Sequence, residues 1–233
     1  MKHLKITLLA LLLSASGAFA QKKQLAKTTQ VSASSITIPS FKDDYTKYVR
    51  HIEEGNTTVN YEQFRESYLV SEQFRVASEK SQEYNRLKTL LKDQVNQQKY
   101  TEVIKTAKLM LSIDYTSLPA QRALSIAYTE SGDKKNAAKY GAIFKGLLES
   151  ITTRGNGESC SNAWPVIQEE EEYFILENLG IGIEGSYKYR KDGAVCDEFK
   201  TITSGKRKSY YFETSRLEEG IKILTPVEDA TGN

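Results

Sequence analysis

From Phe41 onward the apolar residues follow a helical spacing. Phe41, Tyr45, Tyr48, Val49 and Ile52 recur at steps of three and four, one face of a helix that Gly55-Asn56 ends. Asn60 is placed to cap a second helix with Tyr61, Phe64, Tyr68 and Leu69 as its stripe. The stretch EEGNTTVNYEQF between them superficially resembles a calcium loop. It lacks alternating Asp/Asn ligands and a closing Glu at the required offsets, which argues against an EF-hand. His51 sits in the charged stretch YVRHIEEGN and reads as a solvated helix-end residue.

Further along, the pattern repeats. Val103 to Ala137, Leu90 to Leu124 and Leu87 to Gln121 each span 34 residues. That period resembles the tetratricopeptide repeat, whose unit is a pair of antiparallel helices. In the stretch Leu118–Ser150, Leu124, Tyr128, Gly132 and Ala137 fall where that repeat has a packing leucine, a tyrosine, a turn glycine and a small alanine. Gln121 replaces the large aromatic, Ser125 and Leu91 replace a glycine, and Tyr115 replaces a proline, although Pro119 opens its helix well. About two units are covered, from Tyr84 to Ser150; a generic array of helical hairpins is the alternative. Stacked units present a concave face built from the first helix of each. Asn85, Lys88, Lys92, Asn96, Arg122, Ile126 and Thr129 are the candidate partner-binding residues there. Lys88, Lys92 and Arg122 would meet a carboxylate or an acidic segment; ordinary solvated charges are the plainer reading of each.

After Ser150 the pattern changes. RGNGESCSN (residues 154–162) is a polar link. Neither it nor Ser204-Gly205-Lys206 has the setting of a phosphate loop. Trp164 to Ile167 is a short apolar run, read as a strand. Glu169 to Glu172 open a helix that Gly180 ends, where four carboxylates suit the helix dipole. Strands then run from Ile181 to Arg190, Val195 to Thr203 and Lys208 to Thr214, joined by turns at Asp192-Gly193 and Ser204-Gly205. Ser215 and Glu218 form a capping box for a last helix through Leu224. The expected fold class is α+β: tetratricopeptide-like hairpins over residues 41–153, then a small α+β unit over 154–233 around a three-stranded antiparallel meander. On its strands lie Tyr187, Tyr189, Tyr210, Tyr211 and Phe212. Tyr210 and Phe212 share one face and Tyr211 takes the other. A carbohydrate-binding surface is therefore the alternative to a peptide-binding groove.

The N-terminus changes the charge balance. Lys2 and Lys5 precede the apolar run Ile6–Leu13, and Ala18-Phe19-Ala20 suits signal peptidase, so residues 1–20 read as a signal peptide cut between Ala20 and Gln21. An N-terminal membrane anchor is the alternative; the absence of a cysteine near the cut disfavours a lipid anchor. Residues 21–40, rich in Ser, Thr, Gln and Lys, read as a mobile spacer, with a lone strand at Ile36–Ile38 as the alternative. The whole chain carries 32 Lys and Arg against 30 Asp and Glu. Losing Lys2 and Lys5 balances the two, so no global field draws nucleic acid or an anionic membrane. The reading is a soluble exported protein, periplasmic or secreted, with no stable membrane insertion.

Chemistry is sparse. Of two histidines only His51 survives cleavage, which leaves histidine-based metal sites, Ser-His-Asp triads and Cys-His dyads short of partners. No catalytic residue, metal site or cofactor is assigned. A carboxylate-dependent hydrolase is compatible with composition, but no motif places a pair. Cys160 and Cys196 are the chain's two cysteines. In an oxidising compartment they are candidates for one disulfide; two unpaired thiols are the alternative, and no CxxC spacing or nearby His supports a reactive cysteine.

Three longer stretches, NTTVNYEQFRESYL (56–69), VIKTAKLMLSIDYTSLPAQ (103–121) and AWPVIQEEEEYFILENLG (163–180), together with YYFE (210–213), carry a wider likeness. The chain resembles an exported bacterial family known as domain of unknown function four-nine-one-nine. That resemblance implies a Gram-negative periplasmic or secreted setting and supplies no activity or catalytic residue.

Overall fold

Side-chain caps start most of the helices. Asp43 accepts from the Thr46 amide at 2.8 Å, Asn60 from Gln63 at 3.1 Å, Ser71 from Phe74 at 3.2 Å and Asp133 from Asn136 at 3.1 Å. Each cap satisfies an N–H that the helix cannot pair internally. The computed structural model describes residues 35–191, 194–203 and 205–224. The signal-peptide reading, the Ala20/Gln21 cut and the Asp192-Gly193 turn lie outside these residues. Helices α1 (Asp44–Glu53), α2 (Tyr61–Leu69), α3 (Glu72–Glu79), α4 (Ser81–Asn96), α5 (Tyr100–Ile113), α6 (Leu118–Glu130) and α7 (Lys134–Thr152) come first. A short 3-10 turn (Cys160–Asn162), β1 (Trp164–Pro165), α8 (Glu169–Asn178), β2 (Gly182–Lys191), β3 (Ala194–Thr203), β4 (Lys206–Glu213) and α9 (Ser215–Leu224) follow. Among the described residues no helix is long and apolar enough to cross a membrane.

The 34-residue step is visible at the turns. Lys99 N–H donates to Gln94 O at 3.0 Å, and 34 residues on Asp133 N–H donates to Tyr128 O at 2.9 Å. Gln98 and Gly132 take the same place in the two turns, with φ of 55° and 78°. That left-handed conformation suits glycine and is strained for glutamine. The step fails further up the first helices. Leu90 is 38% exposed whereas Leu124 is fully buried. α6 packs against α4, α5, α7 and α8, so its apolar surface is covered on several sides. α4 buries a narrower stripe, Leu87 and Leu91.

The sheet differs from the expected meander. Its order is β1-β4-β3-β2, and β1 runs parallel to β4, with Trp164 beside Phe212 and Pro165 beside Glu213. The three-stranded antiparallel meander is therefore the larger part of a mixed four-stranded sheet. Pro165 has no N–H to give, which suits an edge strand. The next residue supplies one, as Val166 N–H donates to Glu213 O at 3.0 Å.

One hydrophobic core runs through both regions, from Tyr45 and Phe64 to Phe199 and Phe212. The described residues all fall in one compact unit. Residues 41–153 and 154–224 thus share a core rather than folding around separate ones. The last residues of the 21–40 stretch join it. Residues 35–40 form no strand, yet Ile36 is 8% exposed and Thr37 N–H donates to Ser112 Oγ at 2.9 Å.

Candidate functional site

The face predicted for a partner is partly occupied by the chain itself. α8 lies against α6. Lys88 Nζ stands 3.2 Å from Glu170 Oε1, and the Arg122 guanidinium lies 5.9 Å from the centre of the Phe174 ring. Tyr84, one turn before Lys88, has its hydroxyl 2.8 Å from Glu170 Oε2 and 2.7 Å from Ser117 Oγ. Two of the cations expected to meet a partner's acidic segment therefore meet α8. Lys92, Asn96 and Thr129 are exposed, and Ile126 is 39% exposed. Thr129 spends its hydroxyl on the Ser125 carbonyl at 2.8 Å. Asn85 lies on the wall of a cleft.

That cleft, about 270 Å³, opens between α3, α4 and α9. Tyr68, Phe74, Ile113 and Leu224 supply apolar walls, and Tyr84, Asn85, Asp114 and Gln168 supply polar edges. Asp114 accepts from Thr116 N–H at 2.8 Å, Thr116 Oγ1 at 2.6 Å and Gln168 Nε2 at 2.7 Å. Burial pushes its carboxyl up to about 6, and the hydrogen bonds hold it from rising further. Asp114 and its partners thus make a hydrogen-bonded polar patch in the wall of an otherwise largely apolar cleft. A wider one, about 740 Å³, lies between α1, α2 and α9, where Lys42, Asp44, Glu66 and Arg216 mix both signs of charge.

The four carboxylates that open α8 do different jobs, which a shared dipole reading did not separate. Glu170 takes Lys88 and Tyr84. Glu171 takes Arg65 of α2 in a two-pronged pair, at 3.0 and 2.6 Å, and also accepts the Ile167 amide at 2.8 Å. Arg65 also donates to Pro165 O at 3.2 Å and to Ser150 Oγ at 3.5 Å. Glu172 is 2% exposed, and its Oε1 finds no hydrogen-bond partner among the described residues. Burial first, then Asp197 and Glu169, push its carboxyl up to about 8, so it is largely protonated at neutral pH. Asp197 is held by Lys188 at 3.4 Å. Two neighbouring carboxyls, one of them raised, resemble an acid–base pair, but neither residue lines either cleft.

On the sheet, Tyr210 and Phe212 pack against Trp164, with ring centres 5.7 and 5.5 Å away. Tyr211 takes the opposite face, where the strands pair it with Glu198 and Glu198 with Tyr187. Cys160 and Cys196 form a disulfide, with Cα atoms 5.8 Å apart, that ties the polar link to β3. His51 is exposed and its Nε2 is 2.6 Å from Asn56 Nδ2. Among the described residues no group of three or more His, Cys, Asp or Glu is placed to hold a metal ion.

Sequence reasoning missed the partners of Arg65 and Glu170, because nothing in a local pattern points to a contact across the chain. The run of four glutamates that opens α8, with charged residues where a core helix would be apolar, is the one local sign that its glutamates are used.

These features define a class: an α+β protein in which helical hairpins and a mixed sheet share one core, with a small, largely apolar cleft among the helices. The chain belongs to DUF4919, a domain of unknown function, whose family model matches residues 34–222. No curated protein and no solved structure matches it.

Proposed function

We propose that this is an exported, non-catalytic protein that binds a protein or peptide partner, with the cleft between α3, α4 and α9 as its anchor point. The observation that carries this reading is the lining of that cleft. Tyr68, Phe74 and Ile113 offer apolar walls for one or two side chains, and Asn85 at the edge offers an amide to a peptide backbone. Such a site holds a partner through a buried apolar anchor and few polar contacts. The 34-residue step in the turns supports a tetratricopeptide-like hairpin array as the scaffold. Export rests on the residue pattern of Met1–Ala20.

The remainder of the predicted face, Lys92, Asn96, Ile126 and Thr129, would extend the contact beyond α8. A photo-crosslinking amino acid placed at Asn85 tests the reading in the cell that exports the protein. One discrete adduct is expected at Asn85, and none at the exposed Lys105 of α5. The same adducts at both positions, or none at either, would reject the cleft. An adduct of twice the chain mass would make the partner a second copy.

A further inference from the structure

The outer face of the sheet carries a second surface, independent of the helical cleft. β2, β3 and β4 set Tyr187, Glu198 and Tyr211 in one cross-strand row, and Gly185, Lys200 and Ser209 in the next. Tyr187 is 53% exposed, and Tyr189, two residues on along the same face, is 38% exposed. The Tyr187 ring leans back over Gly185. A Cβ at that glycine would lie 3.4 Å from the Tyr187 hydroxyl and 3.5 Å from its Cε2. Both are ordinary van der Waals distances, so the ring lies close along the sheet there without depending on the glycine.

Around that ring the charges are uneven. A shallow depression of about 600 Å³ is lined by Glu184, Tyr187, Lys200, Arg207 and Ser209, among others. Arg207 pairs with Glu184 at 3.2 Å. Lys200 is exposed, sits 4.5 Å from the centre of the Tyr187 ring and makes no ion pair among the described residues. Glu198, in the neighbouring row, is already engaged, accepting from Ser209 Oγ at 2.7 Å and the Tyr211 hydroxyl at 3.3 Å.

We propose that this depression binds an acidic saccharide, with a sugar ring on Tyr187 and its carboxylate or sulfate on Lys200. A cation resting on an exposed aromatic ring is weakly held. A charge-assisted hydrogen bond to an anion is stronger, so Lys200 leaves the ring for the anion and bares the aromatic surface. The C–H face of a pyranose then covers that surface, as apolar groups cover any exposed ring. Ser209 and Tyr211, whose hydrogens point to Glu198, keep oxygen lone pairs for sugar hydroxyls. A single strand of nucleic acid fits less well, because a phosphate track needs a row of free cations. Here Arg207 is neutralised by Glu184, and Lys200 alone faces Tyr187 unpaired.

The test is an array of oligosaccharides bearing uronate, sialate or sulfate, printed beside neutral oligosaccharides and single-stranded oligonucleotides, and probed with the mature chain. Acidic saccharides should be retained above neutral ones, and less so as salt is added. Tyr187→Ala and Lys200→Gln should each weaken retention about tenfold, while Lys105→Gln on α5 changes nothing. Both substituted side chains are exposed, and unchanged unfolding midpoints will show that the variants fold. No preference for acidic over neutral members overturns the proposal. So does equal retention of the oligonucleotides, or retention that neither sheet variant alters.

Discussion

Arg65 of α2 and Glu171 of α8 are 106 residues apart in sequence and meet side by side, with N–O distances of 3.0 and 2.6 Å and each side chain 4% exposed. The pair joins the helical region to the start of α8 inside the shared core. A buried ion pair adds little net stability, since desolvation offsets the attraction, but removing one partner leaves the other charged and buried.

Arg65→Met should therefore cost about 3–5 kcal/mol, because Glu171 keeps only the Ile167 amide. Replacing both, Arg65→Met with Glu171→Leu, should recover much of that loss. Chemical denaturation of the two variants reads the difference. Equal stability for the single and double variants would show that the orphaned charge is not what matters.

Glu172 gives stability a pH dependence. Its carboxyl rises from an ordinary 4.5 to about 8 in the fold, so between those values the folded chain binds more protons than the unfolded chain. Stability must then fall as pH rises through that window and level off above it. Asp114 acts in the same direction, from 3.8 to about 6. Between about 6 and 8, Glu172 carries the slope, which approaches ~1.4 kcal/mol per pH unit. Unfolding curves across that range should be flatter for Glu172→Gln; identical slopes would contradict the assignment.

Gly146 on α7 lies under the ring of Tyr61. A Cβ there would fall 2.1 Å from Tyr61 Cε2 and 2.3 Å from Cδ2. Tyr61 has little freedom to retreat, since its hydroxyl donates to Thr57 O at 2.9 Å. On helix propensity alone Gly146→Ala would stabilise by about 1 kcal/mol. The overlap should reverse the sign, for a net loss of about 1–3 kcal/mol. A raised thermal midpoint for Gly146→Ala would mean that Tyr61 moves aside without cost.

The disulfide closes a stretch with a sequence separation of 36 residues. Cys160→Ser with Cys196→Ser should lower stability by roughly 3–4 kcal/mol on the chain-entropy estimate. Protein purified without reductant and then unfolded should show no free thiol. Two free thiols per chain would refute the bridge.

Much of the local structure was legible before any coordinates. Asn60 capping α2 and the Gly132 turn both rest on groups within a few residues of each other, and the chain's own spacing sets such contacts. The strands of the meander were equally readable, as was the division of Tyr210 and Phe212 from Tyr211, because alternate residues on a strand must face opposite ways. The two cysteines pointed to a bridge by their even number and by the oxidising compartment expected of the chain, with two unpaired thiols as the alternative.

Other features depended on the tertiary structure. The parallel pairing of β1 with β4 joins segments some 48 positions apart, Trp164 with Phe212, and no short-range pattern encodes it. Leu90 and Leu124 share a repeat position yet differ in burial, since exposure depends on how many neighbours surround each helix. Lys88 looked like a cation awaiting a partner, and only the packing of α8 gave it Glu170. Spacing along the chain determines which way a side chain points from its own helix or strand; what it meets there depends on the long-range packing that closes the core.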